Sequence, residues 1–338
     1  NTRSMAYGII LRTQSGKIKS TEFFHDATMK GPLASLRVLD FTTLLPGPFA
    51  TMMLADLGAS VLRVEAPNRP DMVRALPPFD GDISAWHGVL NRSKRSLALD
   101  LKKSGAVDIV KRLVSEGKYD IVIEQFRPGV MDRLGIGYES LRQANPALIQ
   151  CSITGYGQNG PLRDRAGHDI NYLSLSGAMS HSGWIETGPA PLGIQVADVG
   201  GGSFGALVGL LAAVIQRLES GEGQQVDVSM LDMMLAWQAH IFSEYLTGGE
   251  TAKPESSVLN GGGHYDFYET ADGRYLSVGS LEPKFWVSFC EGIGRPDLIA
   301  KGYDRDPAAV DRLKAELRQT IASRPLHEWV VVFAGLDA

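Results

Sequence analysis

The sequence predicts an α/β protein: a largely parallel sheet in a large N-terminal part, followed by a smaller α/β unit. Three observations carry this. Short β-branched runs alternate with stretches of helical apolar spacing between Leu36 and Ser152. Gly or Pro punctuates the junctions between them. From Gly248 the chain turns polar and Gly-rich, and a second set of strand and helix signals follows.

Taken in order, Leu36-Arg37-Val38-Leu39-Asp40-Phe41 reads as the first strand, and residues 49–57 as a helix that Gly58 stops. Val61-Leu62-Arg63-Val64-Glu65 is a second strand, closed by Pro67. The Pro, Gly and Asp content of residues 68–86 signals a loop. Residues 97–100 form a short strand, 107–116 a helix closed by Gly117, and 120–124 a further strand. Leu148-Ile149-Gln150-Cys151-Ser152 repeats the pattern, and strands spaced by helices in this way indicate βαβ units. Past Asp169, residues 170–178, 202–219 and 230–245 predict helices, with a short strand at 225–228. Residues 248–263 predict a linker or mobile loop. Strands over 265–270 and 274–278 flank Ala271-Asp272-Gly273, a hairpin signal, and helices follow over 284–292 and 308–321.

Composition bounds the function. Hydrophobic residues make up 44% of the 338 and charged residues 21%, enough apolar surface for a real core. The net charge of −5 argues against a dedicated nucleic-acid binder. Two distant cysteines, Cys151 and Cys290, make no disulfide framework and predict a reducing, cytoplasmic setting. No apolar run reaches the length of a membrane span, so no membrane partner is expected. Residues 1–28 read as a tag or leader without a signal peptide's apolar region, with Met29 as the natural start.

The motifs are individually modest. No HExxH or CxxC spacing occurs, so no metal is expected, and there is neither a GxxxxGK[ST] loop nor a GxSxG elbow. Leu44-Leu45-Pro46-Gly47-Pro48 leads from the first strand into a helix, where a doubly wound fold binds phosphate, but the glycine spacing of that motif is missing. Its plain reading is a rigid strand–helix turn. Asn91-Arg92-Ser93-Lys94-Arg95-Ser96 gathers three cations suited to phosphate oxygens, or forms a solvated turn. In Gly167-His168-Asp169-Ile170-Asn171-Tyr172, Asp169 is placed to cap the helix that follows, or to serve as a nucleophilic carboxylate at its N-terminus. The runs Gly200-Gly201-Gly202 and Gly261-Gly262-Gly263 permit close backbone approach or a lid, with helix entry and a flexible linker as the simpler readings.

Together these stretches resemble the class III CoA-transferase family, which includes formyl-CoA transferase, the carnitine CoA-transferases and α-methylacyl-CoA racemase. The first strand, Pro46-Gly47-Pro48 with Leu54-Ala55-Asp56-Leu57-Gly58-Ala59, the second strand and the 91–96 cluster match in order. They continue in Phe126-Arg127-Pro128-Gly129, Thr154-Gly155-Tyr156-Gly157-Gln158, the Gly167 to Tyr172 stretch, Gly221-Glu222-Gly223-Gln224 and Thr270-Ala271-Asp272-Gly273. The resemblance covers residues 33–338, and the family's chains continue past the position of Ala338.

The resemblance implies a Rossmann-like CoA-binding large domain over 29–247, a small domain over 248–338 that lacks the C-terminal part of the family fold, and an interlocked homodimer. It implies acyl-CoA and a carboxylic acid as substrates, with no permanently bound cofactor. Asp169 is implied as the catalytic aspartate, which attacks the thioester, forms a mixed anhydride, and takes CoA as an aspartyl thioester. Pro46, Arg63, Arg92, Lys94, Arg95, Phe126 and Arg133 are implied as CoA contacts, and Gly261, Gly262 and Gly263 as lid or oxyanion support. The racemase branch is the rival, because the Gly167 to Tyr172 stretch takes that branch's form. Racemisation needs two acid–base groups. The racemases pair their aspartate with an upstream histidine, and Gly135-Ile136-Gly137-Tyr138-Glu139-Ser140-Leu141 holds none. Glu139 is the only conceivable substitute there, or an exposed helix residue. The expected activity is therefore CoA transfer, ahead of racemisation and of a non-catalytic CoA-binding protein.

Overall fold

The computed structural model describes residues 31–116 and 119–338; the expected leader and the helix stop at Gly117 lie outside the described residues. The chain opens with β1 (Arg37–Phe41), α1 (Pro46–Asp56) and β2 (Ser60–Glu65). A small hairpin of β3 (Phe79–Asp80) and β4 (Ile83–Ser84) leads to α2 (Ala85–Leu90). Next come β5 (Arg95–Ala98), α3 (Ala106–Ser115), β6 (Ile121–Glu124), α4 (Val130–Arg133), α5 (Tyr138–Ala144) and β7 (Ile149–Thr154). Then follow α6 (Asp169–Leu175), a π-helical segment (Ala197–Phe204), α7 (Gly205–Ser220), β8 (Gln225–Ser229), α8 (Met230–Trp237) and α9 (Ala239–Gly248). The last part holds β9 (Asp266–Glu269), β10 (Tyr275–Val278), α10 (Pro283–Gly292), α11 (Pro307–Ile321) and α12 (Leu326–Phe333).

Six strands form one parallel sheet in the order β5-β2-β1-β6-β7-β8. The order reverses between β1 and β6, the switch point beside which doubly wound sheets bind ligands. Alternation along the strands builds two cores. Val38, Val61, Ile121, Ile149, Cys151 and Ile153 face α1 and α7, whereas Leu39, Val122 and Leu148 face α3 and α5. β7 therefore buries apolar residues on one face and Gln150, Ser152 and Thr154 on the other. A third core, around Tyr268, Trp286, Phe289, Leu313, Leu317 and Trp329, belongs to the β9–β10 hairpin and the last three helices. The hairpin forms where Ala271-Asp272-Gly273 placed it, with Gly273 at φ +71°.

Several boundaries moved. α1 starts at Pro46 rather than Phe49, because Pro is well suited to the first helical position. The predicted helix from Gly202 begins at Ala197, so Gly200-Gly201-Gly202 lies within a π-helical segment rather than at a helix entry. A Cβ on Gly202 would come 2.9 Å from the Pro46 ring, and one on Gly201 would come 3.1 Å from the Met230 carbonyl. Bare backbone is what lets α1 and α8 approach. The predicted 230–245 helix is two, broken at Gln238, whose Nε2 donates to the carbonyls of Met234 (2.8 Å) and Ser176 (3.2 Å). The joined run Ala197–Ser220, 24 residues, is long and apolar enough by composition to cross a membrane. More than half of its apolar 18-residue stretch is buried, which is how a core helix packs on its sheet.

Gly223 shows how tightly this packing is set. A Cβ there would lie 1.8 Å from the Leu148 carbonyl oxygen, where the chain enters β8 beside β7. Gly223→Ala should therefore cost about 1–3 kcal/mol in urea unfolding. Gly221→Asn should cost much less, since Gly221 has open space and a φ of +75° that Asn tolerates.

Candidate active site

Asp169 is the first residue of α6, and the N-cap is His168 rather than Asp169 as the sequence suggested. The backbone at His168 is extended (φ −130°, ψ 174°), and its N–H donates to Asn171 Oδ1 at 3.0 Å. With that end closed by its neighbours, the Asp169 side chain reaches a different helix. Its Oδ1 accepts from the N–H of Ala197 at 2.6 Å and of Asp198 at 3.0 Å. These are the first two amides of the Ala197–Ser220 run, so Asp169 supplies the negative charge that a helix start favours.

This contact sets a second carboxylate beside the first. Asp198 is half-buried, and its carboxyl is pushed up to about 6, chiefly by burial and next by the negative charge of Asp169, with His168 opposing. No hydrogen bond holds the Asp198 carboxylate among the described residues. Tyr172 lies near the pair, and its pKa is raised chiefly by burial and then by Asp198. Tyr172 donates to the Gly167 carbonyl at 2.6 Å and meets Tyr156 edge-on at 5.3 Å. A Cβ on Gly155 or Gly167 would fall 2.4 or 2.6 Å from the Tyr172 ring, which accounts for a glycine in each of those motifs. Sequence reasoning missed Asp198. The available signal was an acidic residue two positions before Gly200-Gly201-Gly202.

The Pro46-Gly47-Pro48 turn is a rigid one at the switch point. Pro46 and Pro48 have no N–H, and the N–H of Gly47 is taken by Gln125 Oε1 at 3.1 Å, across from the end of β6. The start of α1 therefore presents no free amide in its first three residues. Pro46 joins the turn to the carboxylate region, because its carbonyl accepts from Ser203 Oγ at 2.7 Å. Phe126 follows Gln125, half-buried, and its N–H donates to Glu124 at 2.7 Å. Burial raises the Glu124 carboxyl to about 7, against the hydrogen bonds from Ser152 and Phe126. Arg133 stands exposed at the end of α4.

The predicted cation cluster does not converge. The Lys94 side chain is 1% exposed and donates to Asp40 (3.2 Å), the Pro48 carbonyl (3.0 Å) and Asn91 (3.1 Å). Burial lowers its pKa and Asp40 opposes the shift. Lys94 thus props the Pro46-Gly47-Pro48 turn from beneath. Arg92 is paired with Asp56 on α1 and also donates to the Val89 carbonyl at 3.0 Å. Arg95 begins β5 and donates to Ser60 (3.1 Å) and Tyr119 (2.9 Å), at the N-terminal edge of the sheet and away from the switch-point turn. Arg63 is 2% exposed and ion-paired with Asp71 (2.6 Å) and Glu65 (3.2 Å). Glu65 is itself held at about 2: burial works against ionisation, and Arg74, the Asp71 amide and Arg63 outweigh it.

The Gly261-Gly262-Gly263 run is uneven. Gly261 has φ +94°, Gly262 has the Ser257 backbone 2.8 Å from any Cβ, and Gly263 has open space. Glu139 lies exposed on α5 beside Arg142 at 4.0 Å, a solvent-facing helix residue. Cys151 and Cys290 are free and buried in separate cores. Among the described residues no group of three His, Cys, Asp or Glu side chains comes together.

Comparison with known proteins decides the family. The family model "CoA-transferase family III" matches residues 33–338. The chain belongs to CoA-transferase family III. It is 36% identical over 309 residues to α-methylacyl-CoA racemase of Mus musculus, covering 90% of this chain and 76% of that one. It is 40% identical over 305 residues to succinate–glutarate CoA-transferase of Agrobacterium fabrum, covering 88% and 75%. A CAIB/BAIF family protein from Brucella suis has a similar structure, with a TM-score of 0.76 and 29% identity over 91% of this chain and 83% of that one. The family thus holds both transferases and a racemase, and the chain is an enzyme of that family.

Asp169→Asn should separate the two effects of Asp169. The amide oxygen can still accept from both N–H groups, so stability should fall by a few tenths of a kcal/mol at most, against about 1 kcal/mol for Asp169→Ala. Loss of the negative charge should move the Asp198 carboxyl down from about 6, read by carboxyl-carbon NMR titration.

Proposed function

We propose that the chain moves CoA from an acyl-CoA thioester to a free carboxylic acid through a covalent intermediate on Asp169, with Asp198 as its partner. The observation that carries this is the carboxylate pair. Oδ1 of Asp169 accepts both amide hydrogens, which leaves Oδ2 to attack and sets two N–H donors on the oxygen that becomes the aspartyl carbonyl. Asp198 stands beside it as a second carboxylate, its own carboxyl raised to about 6 chiefly by burial.

Each step follows from that placement. Oδ2 of Asp169 attacks the thioester carbonyl, the C–S bond breaks, and CoA leaves as a thiolate with a mixed anhydride left behind. The thiolate attacks the aspartyl carbonyl and expels the donor acid as a carboxylate. The acceptor carboxylate then attacks the aspartyl thioester, the thiolate returns to the acceptor's carbonyl, and Asp169 is regenerated. The switch-point turn at Pro46, with Phe126 and Arg133, is the proposed seat of CoA, and Arg92 and Lys94 hold that turn from α1 and from beneath. A racemase-type reaction keeps support from the mouse relative. It needs two acid–base groups, and Asp198 beside Asp169 is the candidate second one, since Glu139 faces solvent.

Incubation with acyl-CoA and no acceptor should leave an aspartyl-CoA thioester on the peptide containing Asp169, which borohydride reduces to the alcohol with release of CoA, so mass spectrometry should find that aspartate converted to homoserine. Asp169→Asn should abolish this product, while Asp198→Asn should slow its formation without preventing it. Reduction at Asp198 instead would give the role to that residue, and α-hydrogen exchange without an adduct would favour the racemase. Because ionised Asp198 sets a second negative charge beside the nucleophile, kcat/KM should fall as the pH drops through about 6.

A homodimer is part of this proposal. Phe204, Val208, Ile215 and Leu218 form an exposed apolar row along the helix at spacings of four, seven and three. Such a row is suited to a second copy. Sedimentation should give twice the chain mass, and Val208→Glu with Ile215→Glu should shift it towards the monomer.

A further inference from the structure

The stretch expected to be a linker contains a closed body. Asn260 binds it together, its Oδ1 accepting from the Ser257 N–H (2.7 Å) and its Nδ2 donating to the Lys253 carbonyl (2.8 Å). Gly262 N–H closes back on the Ser257 carbonyl at 2.8 Å. This body is tied on two sides. Towards the third core, Lys314 of α11, 4% exposed, donates to the Gly261 carbonyl at 2.7 Å and pairs with Asp266 (2.7 Å) and Glu255 (3.6 Å). Towards the sheet, Glu255 Oε2 accepts from the Ile185 N–H at 3.0 Å, and Asn260 Nδ2 donates to the His181 carbonyl at 3.0 Å. Glu255 holds φ +55°, a conformation costly for a residue with a side chain, and both its carboxylate oxygens are engaged.

What the strut reaches is informative. The 181–195 segment leaves the α6 side of the site and ends just short of Ala197, with Val196 between, so it connects the two elements that carry Asp169 and Asp198. It exposes Trp184, Ile185 and Ile194, apolar side chains that belong to none of the four buried clusters, including the one around Tyr172, Met179 and Ala197 that flanks the segment. We propose that Glu255 and Lys314 are positioning residues: they brace the 181–195 segment beside the carboxylate pair, where its apolar side chains keep water from an acyl or CoA ester formed there. This rests on the pair being the reacting site. Its chemical consequence is a partition. Water attacking the aspartyl thioester would give free CoA and the aspartate, whereas a braced segment favours the acceptor acid.

The test uses the full chain with Lys314→Met and, as the milder variant on the more exposed partner, Glu255→Gln. Amide hydrogen exchange and the ratio of free CoA to transferred CoA are measured on each. Both variants should speed exchange over 181–195 by about tenfold or more while leaving the sheet unchanged. Both should raise the hydrolysis-to-transfer ratio severalfold, with the KM for the acyl-CoA donor little changed. Unchanged exchange over 181–195 in folded Glu255→Gln would overturn the strut. Faster exchange with an unchanged partition would overturn its role in excluding water. If the unaltered protein transfers no CoA, the transferase reading fails alone, and the exchange arm still decides whether the strut exists.

Discussion

One oxygen of Asp169 accepts the first two amide hydrogens of a helical run that begins 28 residues later, and much of the molecule hangs on that contact. A helix start in a half-buried place leaves N–H groups that must find acceptors, and none comes from its own N-cap, Val196. Asp169 supplies the acceptor from another element. The run it closes packs its glycines against α1 and α8, takes the Pro46 carbonyl through Ser203, and then covers one face of the sheet. The same contact brings Asp198 beside a fixed negative charge. Helix closure, sheet coverage and the part of the carboxyl's rise that adds to burial are thus consequences of a single placement.

The cations obey a different constraint. Burial decides which are held by the protein's own acceptors. Lys94 and Arg63 sit almost wholly inside, each facing a carboxylate, because a buried charge without a partner is far costlier than a paired one. Both fix loops near the C-terminal ends of the strands: Lys94 fixes the turn into α1, and Arg63 fixes Asp71, which in turn accepts from the Leu44 amide. Leu44 itself sits at φ +63°, so the turn is held in a shape it would not adopt unaided.

The sheet was legible from the sequence because its signals are local. The β-branched runs of β1, β2, β6 and β7, the Ala271-Asp272-Gly273 hairpin and the break at Gly221 follow from short-range pattern and appear within two residues of where it put them, whereas β5 starts two residues earlier than the pattern suggests and β3 and β4 fall in the stretch that reads as a loop. What failed to show was set by contacts distant in sequence. Asp169 looked like the cap of its own helix because capping is usually local, yet its partner amides lie at Ala197 and Asp198. Asp198 carried no motif-like spacing to Asp169, and only the fold makes them neighbours. The 91–96 cations looked like one cluster in the sequence. In space β5 starts within the cluster, so Arg92 turns back onto α1, Lys94 goes beneath the turn and Arg95 lies at the opposite edge of the sheet. The break at Gln238 depends on the Ser176 carbonyl and could not be read from the helix itself.

The uneven glycine run bears on how such a chain can drift. Three identical neighbours look equally fixed when written as letters. The φ of +94° at Gly261 penalises any side chain through backbone strain, and the Ser257 backbone bars one at Gly262 by collision. Gly263 faces open space with neither restraint. Random substitution would therefore be filtered at the first two positions for separate reasons and pass at the third, so the run should erode from its C-terminal end, with Gly263 free to acquire a side chain that reaches into the surrounding solvent.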